Sequence, residues 1–364
     1  MGIVNELDLR EDVASLTERI MNIESVSGNE KALADAVHQA LLALEHLEVH
    51  RDGDSIVART RLGRERRVVL AGHLDTVPLP HTQGARGTVP ATVVDGVLYG
   101  RGATDMKGGV AVQLALAAEL TDPRYDVTYI FYDHEEVAAA KSGLGRLARN
   151  APELLTADFA ILLEPTNGTV EGGCNGTSRF LVRTTGAAAH SARAWMGENA
   201  IHKAAPILAR LAAYEPQTVD VEGLAYRESM NAVRISGGIA GNVIPDYCEV
   251  EVNYRFAPDK DLAQAEAAVR SLFEGFEVER TDGAEGARPG LDQAIAASLV
   301  EILGQEPKPK YGWTDVSRFS ALGISAVNFG PGDALLAHTD GEHVTQQAIR
   351  DCRNTLRAWL SETK

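Results

Sequence analysis

Three cysteines in 364 residues, Cys174, Cys248 and Cys352, are too few, too far apart and odd in number for a disulfide framework or a cysteine-based zinc site. A reducing compartment, the cytoplasm, suits such a chain. Positive charge is also short. Lys and Arg number 35 against 51 Asp and Glu, a formal net charge of −16. A surface of that sign repels phosphate backbones and anionic lipid, so neither nucleic acid nor a membrane is an expected partner. No apolar run is long enough to span a bilayer. The opening, MGIVNELDLRED, has no apolar stretch and no basic leader. Glu6 follows Gly2 where a lipidation signal needs Ser or Thr. Repeats and low-complexity tracts are absent too. Apolar residues are not lacking: at 45% they can fill a large core, and the length permits two domains.

Helical spacing of apolar residues runs through 13–47, with a break at SGNE. Four short runs follow at 68–70, 127–132, 159–163 and 326–328. They are rich in β-branched and aromatic residues, bounded by polar or glycine-containing loops, and read as strands buried on both faces. Helices are expected at 107–120 and 136–149. The alternation implies an α/β fold with a mainly parallel central sheet. The middle of the chain reads differently. Residues 178–185 alternate apolar and polar, 199–211 look helical with Pro206 near the start or at a kink, and strands follow at 232–238 and 247–256. A helix at 261–272 and a strand at 276–281 complete a β-α-β-β-α-β order, the pattern of a small α+β domain with an open sheet. TDGAEGARPG is the expected return crossing. The expected division is therefore 1–176 and 287–364 for the larger domain and 177–286 for the inserted one.

Every one of the four buried strands is followed by a loop of chemically useful residues: GHLDTVP, DHEE, LLEPT, and GPGD with LAHTDGEH shortly after. In an open α/β sheet the ligand crevice lies at the carboxyl ends of the strands, so distant segments are delivered to one edge. His73, Asp105, Glu136, Glu164 and His338 supply imidazoles and carboxylates, the ligands that zinc or cobalt take. They exceed the needs of one open tetrahedral site and suffice for two metals if a carboxylate bridges. Asp105, in the glycine-rich GRGATDMKGG, is the best bridge, because backbone there can come close to ions. Asp75 lies two residues beyond His73 on an extended segment and is expected to accept the proton of the other imidazole nitrogen. Adjacent Glu135 and Glu136 point in different directions. Glu136 is read as a ligand and Glu135 as the general base that takes a proton from water.

Taken singly these signals are weak, and an acidic pair can equally serve a helix N-terminus. His134 is expected to be structural or to support a ligand from behind. His38, His46 and His50 are expected to face solvent, His81 sits in a loop with no partner motif, and His202 reads as packed or exposed. His343 rivals His338 from a few residues away.

Taken in order, GHLDTVP, GRGATDMKGG, DHEE, LLEPT, AHSAR, GNVIPD and LAHTDGEH resemble the di-zinc deacylase and carboxypeptidase family over nearly the whole chain. CNGTSRFLVRTTGAAAHSARAWMGENAIHK and KYGWTDVSRFSALGISAVNFGPGD are most similar to its actinobacterial branch acting on N-succinyl-LL-2,6-diaminopimelate. That resemblance implies hydrolysis of the succinyl amide, a step toward lysine and the peptidoglycan cross-linker. It implies two divalent metals per subunit, zinc first and cobalt second, one held by His73 and Glu164 and the other by Glu136 and His338, with Asp105 shared. It further implies a cis peptide after Asp105. The inserted segment becomes a lid and homodimerisation domain, and His190 resembles a histidine that reaches the partner's active site and stabilises the oxyanion. Asn242 and Arg255 resemble substrate-holding residues, and Thr314 one near a substrate carboxylate. Arg179 is a further guanidinium able to pair with a carboxylate. Better-studied members of the branch carry an arginine pair where this chain has Cys174 and Asn175, and read TSDGRF where it reads TDVSRF. Both departures touch specificity and leave the metal chemistry intact. Acetylornithine deacylases and dipeptidases would use the same site with another pocket. A non-catalytic, metal-dependent carboxylate binder would have no use for Glu135.

Overall fold

The computed structural model describes residues 6–361, so Gly2 and the start of the chain lie outside the described residues. Its central strand is Arg67–His73, buried along all but its first residue. Asp126–Tyr132 and Phe159–Leu162 flank it in parallel, and Ser325–Asn328 runs parallel to Phe159–Leu162. Asp126–Tyr132 and Phe159–Leu162 are buried at every position, which is why they read as continuous runs rather than alternations. Further strands extend the sheet, and those paired directly with its parallel strands run antiparallel to them. Ser55–Arg59 and then Glu48–Asp52 lie on one side, with Glu171–Gly172 and then Lys308–Pro309 on the other. The result is the expected α/β architecture with parallel strands at its centre.

Helix Lys107–Glu119 is buried from its first residue almost to its last. Its tightest approach is at Gly109, where a Cβ would stand 2.2 Å from the Leu163 carbonyl oxygen. Gly330 approaches the same oxygen, which lies 2.3 Å from its own hypothetical Cβ. The two glycines thus grip the strand end that leads to Glu164.

The helix expected at 136–149 starts late. A single 3-10 turn spans Ala139–Lys141 and the helix proper is Gly143–Asn150, capped by Ser142, whose hydroxyl accepts from the Gly145 amide at 3.2 Å. His134 adopts a left-handed φ of 59°. Glu135 and Glu136 therefore sit in a loop, and the helix-dipole reading of the acidic pair does not hold.

The chain divides into two compact units. One comprises the described residues up to Gly172, Gly290–Lys308 and the chain from Arg318 on; the other comprises Gly173–Pro289 and Pro309–Ser317. The second unit is built on an antiparallel sheet in the order Ser229–Gly237, Tyr247–Phe256, Gly176–Thr185, Glu277–Ala284. Inward residues of the central pair, Phe180, Val182, Val250, Val252 and Phe256, form its core. Helix Leu262–Leu272 opens with a reciprocal Asp261–Gln264 capping box. The expected helix at 199–211 is two, Ala200–Lys203 and Ala205–Ala212, with Pro206 in the first turn of the second, where its missing amide costs nothing. The sequence reading placed 309–317 in the larger domain. They belong to the second unit because Asn175 donates its amide to Lys310 O (3.2 Å), Trp313 Nε1 donates to Glu285 O (3.1 Å) and Ser317 Oγ to the same oxygen (2.7 Å). Thr314 travels with them.

Lys107 is a buried cation whose Nζ donates to the carbonyls of Ile23 (2.8 Å) and Ile20 (3.3 Å). Burial pushes its ammonium down to about 7 from the usual lysine range. Above that pH the unfolded chain binds a proton that the folded chain does not, so this group makes stability rise with pH until the unfolded lysine also titrates. Relative to wild type, Lys107→Met is expected to flatten the rise in unfolding free energy between about pH 7 and pH 10. Urea melts of both proteins across that range measure it. Parallel curves would show that the lysine keeps its ordinary affinity for the proton. Among the described residues, no helix is long and apolar enough to cross a membrane.

Candidate metal centre

The parallel strands end where the sequence places its ligands. His73 is the last residue of Arg67–His73, Glu135 and Glu136 follow Asp126–Tyr132, and Glu164 follows Phe159–Leu162. His338 comes after Ser325–Asn328, beyond a short 3-10 turn at Ala334–Leu336. Asp105 precedes helix Lys107–Glu119, and the Asp105–Met106 peptide is cis.

Asp105 is the meeting point. Its Oδ1 lies 3.0 Å from His73 Nε2, while its Oδ2 lies 3.3 Å from His338 Nε2. On the first side Glu164 Oε1 stands 4.0 Å from His73 Nε2; on the second, Glu136 Oε1 stands 2.8 Å from His338 Nε2. Of three groups of donor atoms close enough to hold an ion, two share one carboxylate, His73–Asp105–Glu164 and Asp105–Glu136–His338. Glu135 belongs to neither; it groups with His73 and Glu136. His338 stands at a left-handed φ of 64°, a conformation uncommon for residues other than glycine.

The electrostatics of the cluster favour a cation. Hydrogen bonds with Asp105 and Glu136 push His338 up to about 10. Burial works against a charged His73, but Asp105, Glu135 and Glu164 outweigh it and hold His73 well above the ordinary histidine range. Burial likewise works against the Asp105 carboxylate, and the two imidazoles hold it well below the usual range. Imidazole and carboxylate lone pairs this close attract protons, and a divalent ion competes for the same lone pairs. Borderline metals such as zinc take this donor set, so the residues fit a two-metal site with Asp105 common to both ions.

Asp75 departs from expectation. His73 Nδ1 lies 3.0 Å from the backbone carbonyl of Asp75 and 3.6 Å from its carboxylate, beyond hydrogen-bond reach. The carboxylate instead accepts the amides of Glu135 (2.9 Å) and Glu136 (3.1 Å) and the hydroxyl of Ser27 (2.6 Å). Asp75 thus orients the acidic pair by its side chain and the imidazole by its backbone. Buried Glu30 accepts the amides of Gly28 (2.9 Å) and His134 (3.3 Å). The SGNE segment, read from sequence only as a helix break, is therefore wired to the loop carrying the acidic pair. Asp133 accepts from Ser55 Oγ (2.5 Å) and Arg146 Nη2 (2.7 Å), and His134 Nδ1 lies 2.7 Å from its Oδ2, so His134 is structural, as expected.

His343 is outside the cluster. Its Nδ1 bonds the Gly341 carbonyl at 2.6 Å and its ring lies 4.9 Å from that of Tyr99. His46 is not simply solvent-facing: its Nε2 bonds the Ala117 carbonyl at 2.9 Å.

The remaining site residues lie in the second unit. His190 pairs with Val243, and Ser191 donates its amide to Asn242 O at 2.9 Å, which brings His190 and Asn242 side by side. His190 Nδ1 accepts from the Ala192 amide at 3.1 Å, so in the neutral ring Nε2 carries the proton and can donate it. Arg255 and Arg179 stand on adjacent strands; burial, then Arg179, lowers the affinity of Arg255 for its proton. Thr314 is buried and its carbonyl lies 3.7 Å from Cys174 Sγ. Cys174 and Asn175 are both buried, and Asn175 Nδ2 donates to Arg227 O at 2.9 Å.

Residues 69–362 match the family model of Peptidase family M20/M25/M40, and the chain belongs to that family. It is 45% identical over 367 residues to the succinyl-diaminopimelate desuccinylase of Corynebacterium glutamicum, covering 98% of both chains. It is 50% identical over 357 residues to a Mycobacterium tuberculosis protein that carries the same name provisionally, covering 97% of this chain and 99% of that one. The fold matches a Bacillus subtilis protein described as a dinuclear metal-binding peptidase of the M20 family, with a TM-score of 0.69 at 16% identity over 97% of each chain.

Proposed function

We propose that the chain hydrolyses N-succinyl-LL-2,6-diaminopimelate to succinate and LL-2,6-diaminopimelate, serving lysine and diaminopimelate biosynthesis in the cytoplasm. The observation that carries the chemistry is Asp105, whose two oxygens face two different histidine–carboxylate pairs with Glu135 beside them. Near-full-length similarity to relatives named for this reaction supports the substrate. His73 and Glu164 would hold one divalent ion, Glu136 and His338 the other, and Asp105 both; zinc is the natural occupant and cobalt an alternative. When bound, such ions polarise an amide carbonyl and ease the ionisation of water.

The chain's own residues do the rest. Glu135 takes a proton from the attacking water as its oxygen bonds to the succinyl carbonyl carbon. The same carboxyl returns that proton to the amine nitrogen as the carbon–nitrogen bond breaks. His190 Nε2–H donates to the oxyanion of the tetrahedral intermediate. Arg255 and Arg179 face substrate carboxylates, for which guanidinium is the natural partner, and Asn242 and Thr314 complete the hold. The second unit serves as lid and as the contact of a homodimer. No nucleic acid or membrane takes part.

The test is kcat/KM of zinc-loaded protein on N-succinyl-LL-2,6-diaminopimelate, N2-acetylornithine and simple dipeptides. The succinyl substrate is expected to lead by about 100-fold or more, since a site built to pair a second carboxylate leaves buried polar groups unpaired with any other acyl group. A lead for acetylornithine or a dipeptide would keep the reaction class and discard the substrate.

A further inference from the structure

Glu342 and Arg101 are buried charges that adjoin the cluster without belonging to it. Glu342 is 0% exposed and Arg101 3%. Glu342 Oε2 accepts from Arg101 Nη1 at 2.6 Å. Its other oxygen, Oε1, has separate work: it accepts the backbone amides of Thr104 (3.1 Å) and Asp105 (3.2 Å). More bonds join the same two loops. Thr104 Oγ1 donates to His343 O at 2.7 Å, Gly100 N to Glu342 O at 3.2 Å, and Arg101 Nη1 to Thr339 O at 3.5 Å. One loop ends in Asp105; the other begins at His338. The two are tied here across some 240 residues of sequence (the Arg101–Glu342 separation is 241), beside the pairing of His343–Thr345 with Val97–Tyr99.

We propose that Glu342 is a positioning residue for the metal centre: its carboxylate, neutralised by Arg101, clamps the backbone on which Asp105 is carried and so sets the spacing between Asp105 and His338. The proposal rests on the reading of this cluster as a two-metal site. A carboxylate serves because it accepts on both oxygens at once. An amide in its place has one accepting oxygen and turns a donor toward either the guanidinium or the two backbone amides. A merely structural ion pair would need Oε2 alone; Oε1 would be free to face anything.

Two double variants separate the possibilities. Arg101→Met/Glu342→Gln removes both buried charges and leaves an oxygen for the two amides. Arg101→Met/Glu342→Leu removes both charges and the acceptor. Each is stripped with chelator and titrated with zinc in a calorimeter well below its melting temperature. Wild type is expected to bind two zinc ions, the Gln variant to follow it closely, and the Leu variant to bind at least one ion about 10- to 100-fold more weakly, the usual effect of losing an outer partner of a metal ligand. Turnover of the Leu variant should fall in kcat with KM nearly unchanged. Equal, wild-type zinc affinity in the two folded double variants overturns the proposal and leaves the pair a structural one. Should the Leu variant not fold, Glu342→Gln alone is compared with Arg101→Met/Glu342→Gln: the single variant is expected to bind zinc more weakly, and equal affinity overturns the clamp. Failure of wild type to take up zinc at all would sink the metal reading itself, and the proposal with it.

Discussion

Glu135→Gln is expected to lower kcat by about 100- to 10,000-fold, the usual worth of a general base, while the protein keeps its metal ions. The amide matches the carboxylate in shape and cannot take a proton from water. Glu136 Oε1 lies 2.8 Å from His338 Nε2, inside one of the two clusters that share Asp105; Glu135 lies in neither of these two and groups with His73 and Glu136. Both backbone amides are held by the single carboxylate of Asp75, at 2.9 and 3.1 Å, so the replacement leaves the loop's anchorage intact. Metal content by atomic emission beside steady-state kinetics decides the matter. Loss of metal in step with loss of activity would reverse the assignment of the pair and make Glu135 the ligand.

His190→Ala is expected to cost about 100- to 1,000-fold in kcat, the usual worth of an oxyanion donor. Its Nδ1 is occupied by the Ala192 amide, which leaves Nε2–H as the donor. His190 belongs to a different unit from every proposed metal ligand, so the hypothesis that it serves the other subunit of a dimer has a clean complementation test. His190→Ala and Glu135→Gln proteins are mixed under conditions that exchange subunits. A mixed dimer then has one site with both residues and one with neither. Random exchange at equal amounts restores about a quarter of wild-type activity if sites are independent and pairing is two-fold. Verified exchange without recovery would confine His190 to its own subunit or to no catalytic role.

The parallel strands were legible because burial on both faces leaves unbroken apolar runs, and the acidic and histidine loops because each follows such a run. Other features could not be read locally. Asp75 and His73 share one side of an extended segment, yet the carboxylate turns away to amides at 135 and 136, a choice made by a loop 60 residues on. The helix after the acidic pair starts late because His134 is left-handed and Ser142 is the cap, and neither stands out in DHEEVAAAKSG. Thr314 reads as part of the larger domain by position and joins the smaller through Trp313 and Ser317, bonds to a backbone carbonyl that no periodicity announces. Glu342 lies inside a recognised motif, LAHTDGEH, but its partner is an arginine 241 residues earlier.

Asp12, which caps the first helix, pairs with Arg350 at 2.9 Å, and the strand beside Phe159–Leu162 is not made until residues 325–328. This gives the ribosome an order of events. His73, Asp105, Glu135, Glu136 and Glu164 leave the exit tunnel long before His338, and the whole intervening sheet of the second unit is synthesised while they wait. Domains made first generally fold first, but here the first-made sheet lacks an interior strand, so the unit that begins translation cannot be the first to finish folding. The nascent chain carries four carboxylates and one imidazole toward a centre that stays incomplete until its final segment arrives.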